Sequence, residues 1–167
     1  MIEGEDIAMR RFTAYAAGRN LRLPRRLGSG IHGVVHEAES NAFPGFVAVK
    51  TLRDVPPFER ERDVYLRLRQ AKVRLIRGFH VPQLLAWDDE LLTLEMTMVP
   101  TPFVLDFAGA WLDIAPEFSA EAWEDWNRKL EEDFEERVDE VRRVLAGLRS
   151  YGVILLDVHP GNIRFGD

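Results

Sequence analysis

The chain has 167 residues, 46% of them hydrophobic, which is enough for a domain with a real core and excludes a disordered composition. Net charge is −6 without a long basic run, which argues against a nucleic-acid partner but leaves room for a nucleotide, since that needs only a local cation. Cysteine is absent, which excludes disulfides and thiolate metal sites. The first residues are acidic and lead into no apolar stretch, so no signal peptide is expected. No apolar run reaches the ~18 residues of a membrane helix, so the expectation is a cytoplasmic protein with no membrane partner.

Residues 5–17 predict a short amphipathic helix with Ala8, Met9, Phe12, Tyr15 and Ala16 on one side, stopped by Gly18 and Asn20. Its reading is a packing helix. Leu21 to Leu27 predict a first strand, with Pro24 tolerable on an edge or at a bulge. Gly28-Ser29-Gly30-Ile31-His32-Gly33 follows, and fits G-x-G-x-x-G. Two unrelated folds use that pattern, one with a helix after the glycines and one with a strand. Here Val34-Val35-His36-Glu37-Ala38-Glu39 is β-branched and partly alternating and runs into Ser40-Asn41 and Pro44-Gly45. A second strand, Phe46 to Thr51, comes next. The glycines therefore sit in the bend of a hairpin, where a missing Cβ lets backbone N–H groups approach a phosphate chain. Lys50 ends the Val47-Ala48-Val49-Lys50 strand, and is either a surface lysine or a phosphate ligand. His32 and His36 have no metal-ligand partner at useful spacing.

Asp54-Val55-Pro56-Pro57 reads as a break, and Phe58 to about Arg74 as a helix with Val64, Leu68, Ala71 and Leu75 at helical spacing. Glu61 lies three and four residues before Val64 and Tyr65 and shares their apolar face, whereas Glu59 is about 160° away. An inward carboxylate needs a partner. Lys50 is one, and an intrahelical pair with Arg60, Arg62 or Arg67 is the alternative. Gly78 to Val81 reads as a loop, then Pro82–Trp87 and Glu90–Val99 as two strands around Asp88-Asp89. Phe103 to Pro116 reads as irregular or short helix, where Asp106 either caps a helix or meets a ribose hydroxyl. Ser119 can cap one long helix that carries Trp123, Trp126, Leu130, Phe134, Val138, Val141, Leu145 and Leu148 on one face and ends at Gly147 or Gly152. Its glutamate- and aspartate-rich face reads as solvated, its aromatic stripe as core. The chain closes on an apolar strand and Asp157-Val158-His159-Pro160-Gly161-Asn162, in which Pro160-Gly161 makes a tight turn.

Glycine hairpin, V-x-V-K strand, inward glutamate, apolar strand, long helix and D-x-x-x-x-N loop occur in the order found in protein kinases. Over about residues 21–165 the chain resembles the protein kinase-like superfamily, and its last loop is similar to that of small-molecule and atypical kinases. The resemblance implies an α+β fold. A helical extension (1–20) would precede an N-lobe (21–99), an antiparallel sheet with one regulatory-type helix, and then a truncated, mainly helical C-lobe (100–167). It implies ATP and Mg²⁺ as cofactors and a hydroxyl of a protein or small molecule as acceptor. Gly28, Ser29, Gly30, Gly33 and Val35 would cover the nucleotide, and Lys50, oriented by Glu61, would hold its α and β phosphates. Backbone near Glu95, Met96 and Met98 would form the hinge that bonds adenine, with Pro100-Thr101-Pro102 as a stiff continuation. Asp157 would accept the proton of the attacking hydroxyl, His159 would touch the transferred phosphate, and Asn162 would bind Mg²⁺.

Two departures stand beside this resemblance. Leu155 and Leu156 replace the His and Arg that precede the catalytic Asp of protein kinases, and the sequence ends five residues after Asn162, before any Asp-Phe-Gly segment. Asp167 is too early to match the missing metal ligand. A nucleotide- or partner-binding module without turnover, or half of a split kinase, are therefore alternative expectations. A homodimer or partner chain would cover the apolar face around Trp123, Trp126 and Phe134.

Overall fold

The computed structural model describes residues 2–99 and 104–165. Asp167 and Pro100-Thr101-Pro102 lie outside the described residues. The fold is α+β, and it divides into two compact units within one helix, between Tyr65 and Leu66. Residues 66–81 group with the segment after Met98, not with the strands that flank them in sequence.

The first unit is built on five antiparallel strands, β1 (Arg22–Gly30), β2 (Gly33–Glu39), β3 (Phe46–Leu52), β6 (Leu84–Asp88) and β7 (Thr93–Thr97). Their order is β1-β2-β3-β7-β6, so β1 is an edge. Pro24 sits on that edge at a register shift, where its missing N–H breaks no ladder. Helix α1 (Ile2–Arg19) lies on one face. Phe12 and Tyr15 bury against Val47 and Val49, with Met9, Ala16 and Leu21 at the margin. Each such side chain contributes about 1.5–3 kcal/mol by leaving water. Side chains alternate along a strand, so Lys50 points to the opposite face from Val49. Helix α2 (Val55–Gln70) brings Glu61 to Lys50, and buries Phe58, Val64 and Tyr65.

His36 pairs with Val49 in the sheet and stacks on Phe12, the ring centroids 3.8 Å apart and the planes within 11°. Burial, helped by the charge of Arg26, holds its pKa below the usual 6.5. The unfolded chain therefore binds the extra proton first, so this neutral ring's contribution is complete above about pH 6.5 and lost as pH falls through the lower folded value. Urea midpoints at pH 7.5 and pH 5.5 should fall in the wild-type chain and fall less in His36→Phe. An equal fall in both would refute this account.

The second unit holds the end of α2, then β4 (Leu75–Ile76) and β5 (Phe79–His80), and everything from β8 (Val104–Leu105) onward. Its elements are β9 (Ala110–Leu112), α3 (Ala120–Phe134), α4 (Val138–Arg149), β10 (Val153–Leu155) and β11 (Ile163–Arg164). One sheet runs β11-β8-β5-β4, and β9 pairs with β10 separately.

Several local expectations change. Helix α2 begins three residues earlier than Phe58, because Pro56 and Pro57 occupy its first turn, where amide donors have no intrahelical partner anyway. It ends at Gln70 in a left-handed cap: Lys72 has φ 57°, its N–H bonds the Arg69 carbonyl at 3.0 Å, and Val73 N–H bonds the Leu68 carbonyl at 2.9 Å. Residues 75–80 form a hairpin, not a loop, since Arg77 (φ 51°) and Gly78 (φ 88°) make its two-residue turn. Residues 104–116 hold two short strands and no helix, and Asp106 caps a turn by accepting from Ala108 N–H at 3.0 Å.

The single long helix is two. Ser119 caps α3 as expected, accepting from Ala122 N–H at 3.2 Å. A 3₁₀ turn at Glu135–Arg137, with Glu135 at φ 46°, then interrupts it. The turn shifts the phase of the apolar stripe, so Val144 is buried and Leu145 is half-buried. Gly147 does not end the helix. It lies inside α4, where a Cβ would stand 2.9 Å from Ile76 Cγ2, so glycine lets the helix lie against β4. No helix among the described residues is long and apolar enough to cross a membrane.

Candidate active site

The chemistry-bearing side chains fall into two sets, one in each unit. In the first unit, β1 and β2 meet at Gly30 and Gly33, with Ile31 and His32 as a two-residue turn, so the glycine segment is a tight hairpin. Its glycines differ in what they do. At Gly33 a Cβ would lie 2.1 Å from the Thr51 carbonyl oxygen, so only glycine lets β2 pass so close to β3. At Gly28 and Gly30 nothing lies within 4 Å of a Cβ, and neither is among the glycines with positive φ.

Val35 pairs directly with Lys50 across β2 and β3, and Lys50 pairs with Leu94 of β7. Lys50 Nζ donates to Glu61 Oε1 at 2.6 Å, and the two side chains are only 8% and 2% exposed. Glu59, two residues earlier on α2, is exposed. The spacing argument therefore chose the glutamate that meets Lys50.

Glu95 and Met96 are both bonded between two strands, Val49 and Ala48 of β3 on one side and Ala86 and Leu84 of β6 on the other. Their backbone groups are occupied within the sheet, which leaves them no amide or carbonyl to offer a ligand, whereas Met98 lies past the end of β7. Glu95 has another task. Its buried carboxylate accepts from Tyr15 Oη at 2.8 Å and from Arg19 Nε at 3.1 Å, tying α1 to the sheet. Burial and this carboxylate push the Tyr15 phenol well above its usual range, and Arg19's own hydrogen bond to Glu95 raises the guanidinium. The helical spacing predicts Tyr15 only as a packing residue and gives no sign of this partner for its hydroxyl.

In the second unit, β10 runs through Leu156 into the loop 157–162 and out along β11. Asp157 is exposed but its surroundings are fixed. Trp126 Nε1 donates to the Leu156 carbonyl at 2.7 Å, and Asn162 Nδ2 donates to the Asp157 carbonyl at 2.7 Å. Gly109 (φ 72°) sits so close that a Cβ there would be 2.9 Å from Asp157 Cβ. The backbone at Asp157 is thus held, while its carboxylate is exposed.

Asn162 is buried, and its amide orientation follows from chemistry, because only the nitrogen can donate to a carbonyl. Its Oδ1 has no hydrogen-bond partner among the described residues and is the atom able to face a cation. His159 accepts from Gly161 N–H through Nδ1 at 3.0 Å, which leaves the proton of the neutral ring on Nε2. That Nε2 stands 3.8 Å from Asp157 Oδ2. A Cβ on Gly161 would meet His159 Cε1 at 2.6 Å, so glycine lets the chain fold beneath the ring.

The acidic residues of α3 are mostly solvated, and no group of three or more His, Asp or Glu among the described residues is placed to hold a metal ion. Trp123 and Trp126 are half-buried and line a groove of about 430 Å³ with Leu145, Ala146 and β10. The aromatic stripe is therefore not wholly core as expected. Trp126 has no sequence signal for its bond to Leu156, because its position in the stripe also satisfies a packing reading. No protein-family model matches the chain, and no curated protein matches it.

Proposed function

We propose that the chain is an ATP-dependent phosphotransferase of kinase-like architecture that acts on a hydroxyl group. The observation that carries this reading is the buried Lys50–Glu61 pair at 2.6 Å on the strand beside the glycine hairpin. Burying two charges costs several kcal/mol per ion before their attraction offsets it, and apolar residues of similar size would serve stability as well. A fold keeps such a pair when the lysine is needed in one orientation. The glycines agree with this. In a strand, glycine weakens pairing, and at Gly28 and Gly30 neither the backbone nor the packing asks for it. What remains is close approach by something outside the chain.

In this reading Lys50 takes the α and β phosphates, with Glu61 keeping its ammonium in place. Met98 and Val99 offer backbone to adenine. Asn162 Oδ1 would be a ligand for Mg²⁺, whose chemistry when bound would be to neutralise charge on the phosphates. Asp157 accepts the proton of the acceptor hydroxyl, and His159 donates toward the transferred phosphate. Thermal unfolding with and without Mg²⁺-ATP tests the reading. At about 100 times Kd, binding adds about 2.7 kcal/mol, and the shift should need the metal. A folded chain whose midpoint does not move with ATP, GTP or ADP would rule out the enzyme and leave a partner-binding module.

A further inference from the structure

A loop that cradles phosphate has to offer amide N–H groups and turn its carbonyl oxygens away, because an oxyanion beside a carbonyl dipole is repelled. The glycine pattern supplies freedom of backbone but does nothing to choose between these two orientations. Arg53, just past β3, does choose. Its Nη1 donates to the carbonyls of Gly30 and Ile31, the latter at 2.7 Å, and its own backbone N–H donates to the carbonyl of His32 at 3.0 Å. Three consecutive carbonyls of the hairpin tip are therefore gathered by one residue. Arg53 is in turn held from α1, where Arg11 Nη1 donates to the carbonyls of Leu52 at 3.0 Å and Arg53 at 2.7 Å.

We infer that Arg53 is a positioning residue for phosphate binding by the glycine hairpin, and that Arg11 makes α1 part of the same device. Arg53 collects the tip's carbonyls on its own side and leaves the opposite side of the turn to its amides. A guanidinium suits this work because one terminal nitrogen carries two N–H donors in a fixed plane, serving two acceptors while the group stays charged at every relevant pH. The helix is then more than a cover for the sheet. It reaches the hairpin through Arg11 and the β7 strand through Tyr15 and Arg19, so it braces both ends of the first unit's candidate site.

This inference rests on the nucleotide reading, and one set of titrations separates the two. Mg²⁺-ATP and adenosine would each be titrated by calorimetry into the wild-type chain, Arg53→Ala, Arg53→Lys and Arg11→Ala. Arg53→Ala should weaken ATP about tenfold, the loss of one hydrogen bond to a charged group, and leave adenosine unchanged. Added ethylguanidinium should restore part of the loss. Arg53→Lys should fall between, since lysine is shorter and its ammonium lacks the fixed plane that aims the Nη1 donors, and Arg11→Ala should weaken ATP by less than Arg53→Ala. Equal ATP affinity in wild type and Arg53→Ala overturns the inference and spares the nucleotide reading. A parallel loss of ATP and adenosine also overturns it, because Arg53 would then only hold the fold. A wild-type chain that binds neither ligand overturns the nucleotide reading, and the inference with it.

Discussion

Lys50→Met alone should destabilise the chain by about 3–5 kcal/mol, whereas Lys50→Met combined with Glu61→Leu should be close to neutral. The asymmetry follows from burial. With Lys50 gone, a carboxylate that is 2% exposed loses its 2.6 Å partner and must be protonated or hydrated at the expense of the fold. With both gone, two apolar side chains fill a similar volume and neither charge of the pair is left without the other. Urea unfolding of the wild type, the single and the double variant measures this directly, provided the slope stays constant. The double variant is also the clean probe of function, because it removes the cation proposed to hold phosphate without leaving its partner charge buried alone. It should unfold like the wild type and show no Mg²⁺-ATP shift. A double variant that keeps the shift would sink the role given to Lys50, and one as unstable as the single variant would sink the account of the pair.

Asp157→Asn should have the opposite profile. The side chain is 48% exposed, so the change should move stability by no more than about 0.5 kcal/mol. Turnover, in contrast, should fall by about 10²–10⁴-fold, the usual worth of a positioned proton acceptor. The backbone needs no rearrangement, since Asn162 and Trp126 bond carbonyls and not the carboxylate. Phosphate transfer with wild-type levels in Asp157→Asn would show that another group takes the proton. A fall in turnover that tracks a fall in folded fraction would show that Asp157 is structural.

Local signals in the sequence carried a good part of this. Glu61 was distinguishable from Glu59 because one helical turn fixes which side of α2 each occupies. The glycine hairpin was legible because β-branched residues follow it, and Ser119 because a hydroxyl before an apolar-periodic run caps a helix. What stayed hidden depends on partners distant in the chain or on backbone angles without a side-chain signature. Pro56-Pro57 serves equally as a break or as a first helical turn. Glu135 takes φ 46° although the apolar spacing runs on past it. Which residues of β7 are paired on both edges is not legible in the sequence, because they look alike until β6 and β3 are seen on both sides of it. Arg53, Trp126 and Gly109 have no motif, and each acts through a main-chain atom or through space it leaves free.

The Tyr15–Glu95 bond spans 80 residues, and this sets an order of assembly. A ribosome adds about 5–20 residues each second, so α1 waits about 4–16 s before β7 has been made. During that interval Phe12 and Tyr15 have no finished sheet to cover. The Tyr15–Glu95 tie can therefore close only after β7 has been made, although β3, against which Phe12 and Tyr15 pack, is complete earlier. A ribosome-bound series of increasing length would show the Tyr15 hydroxyl becoming protected from solvent only once the strand carrying Glu95 has emerged.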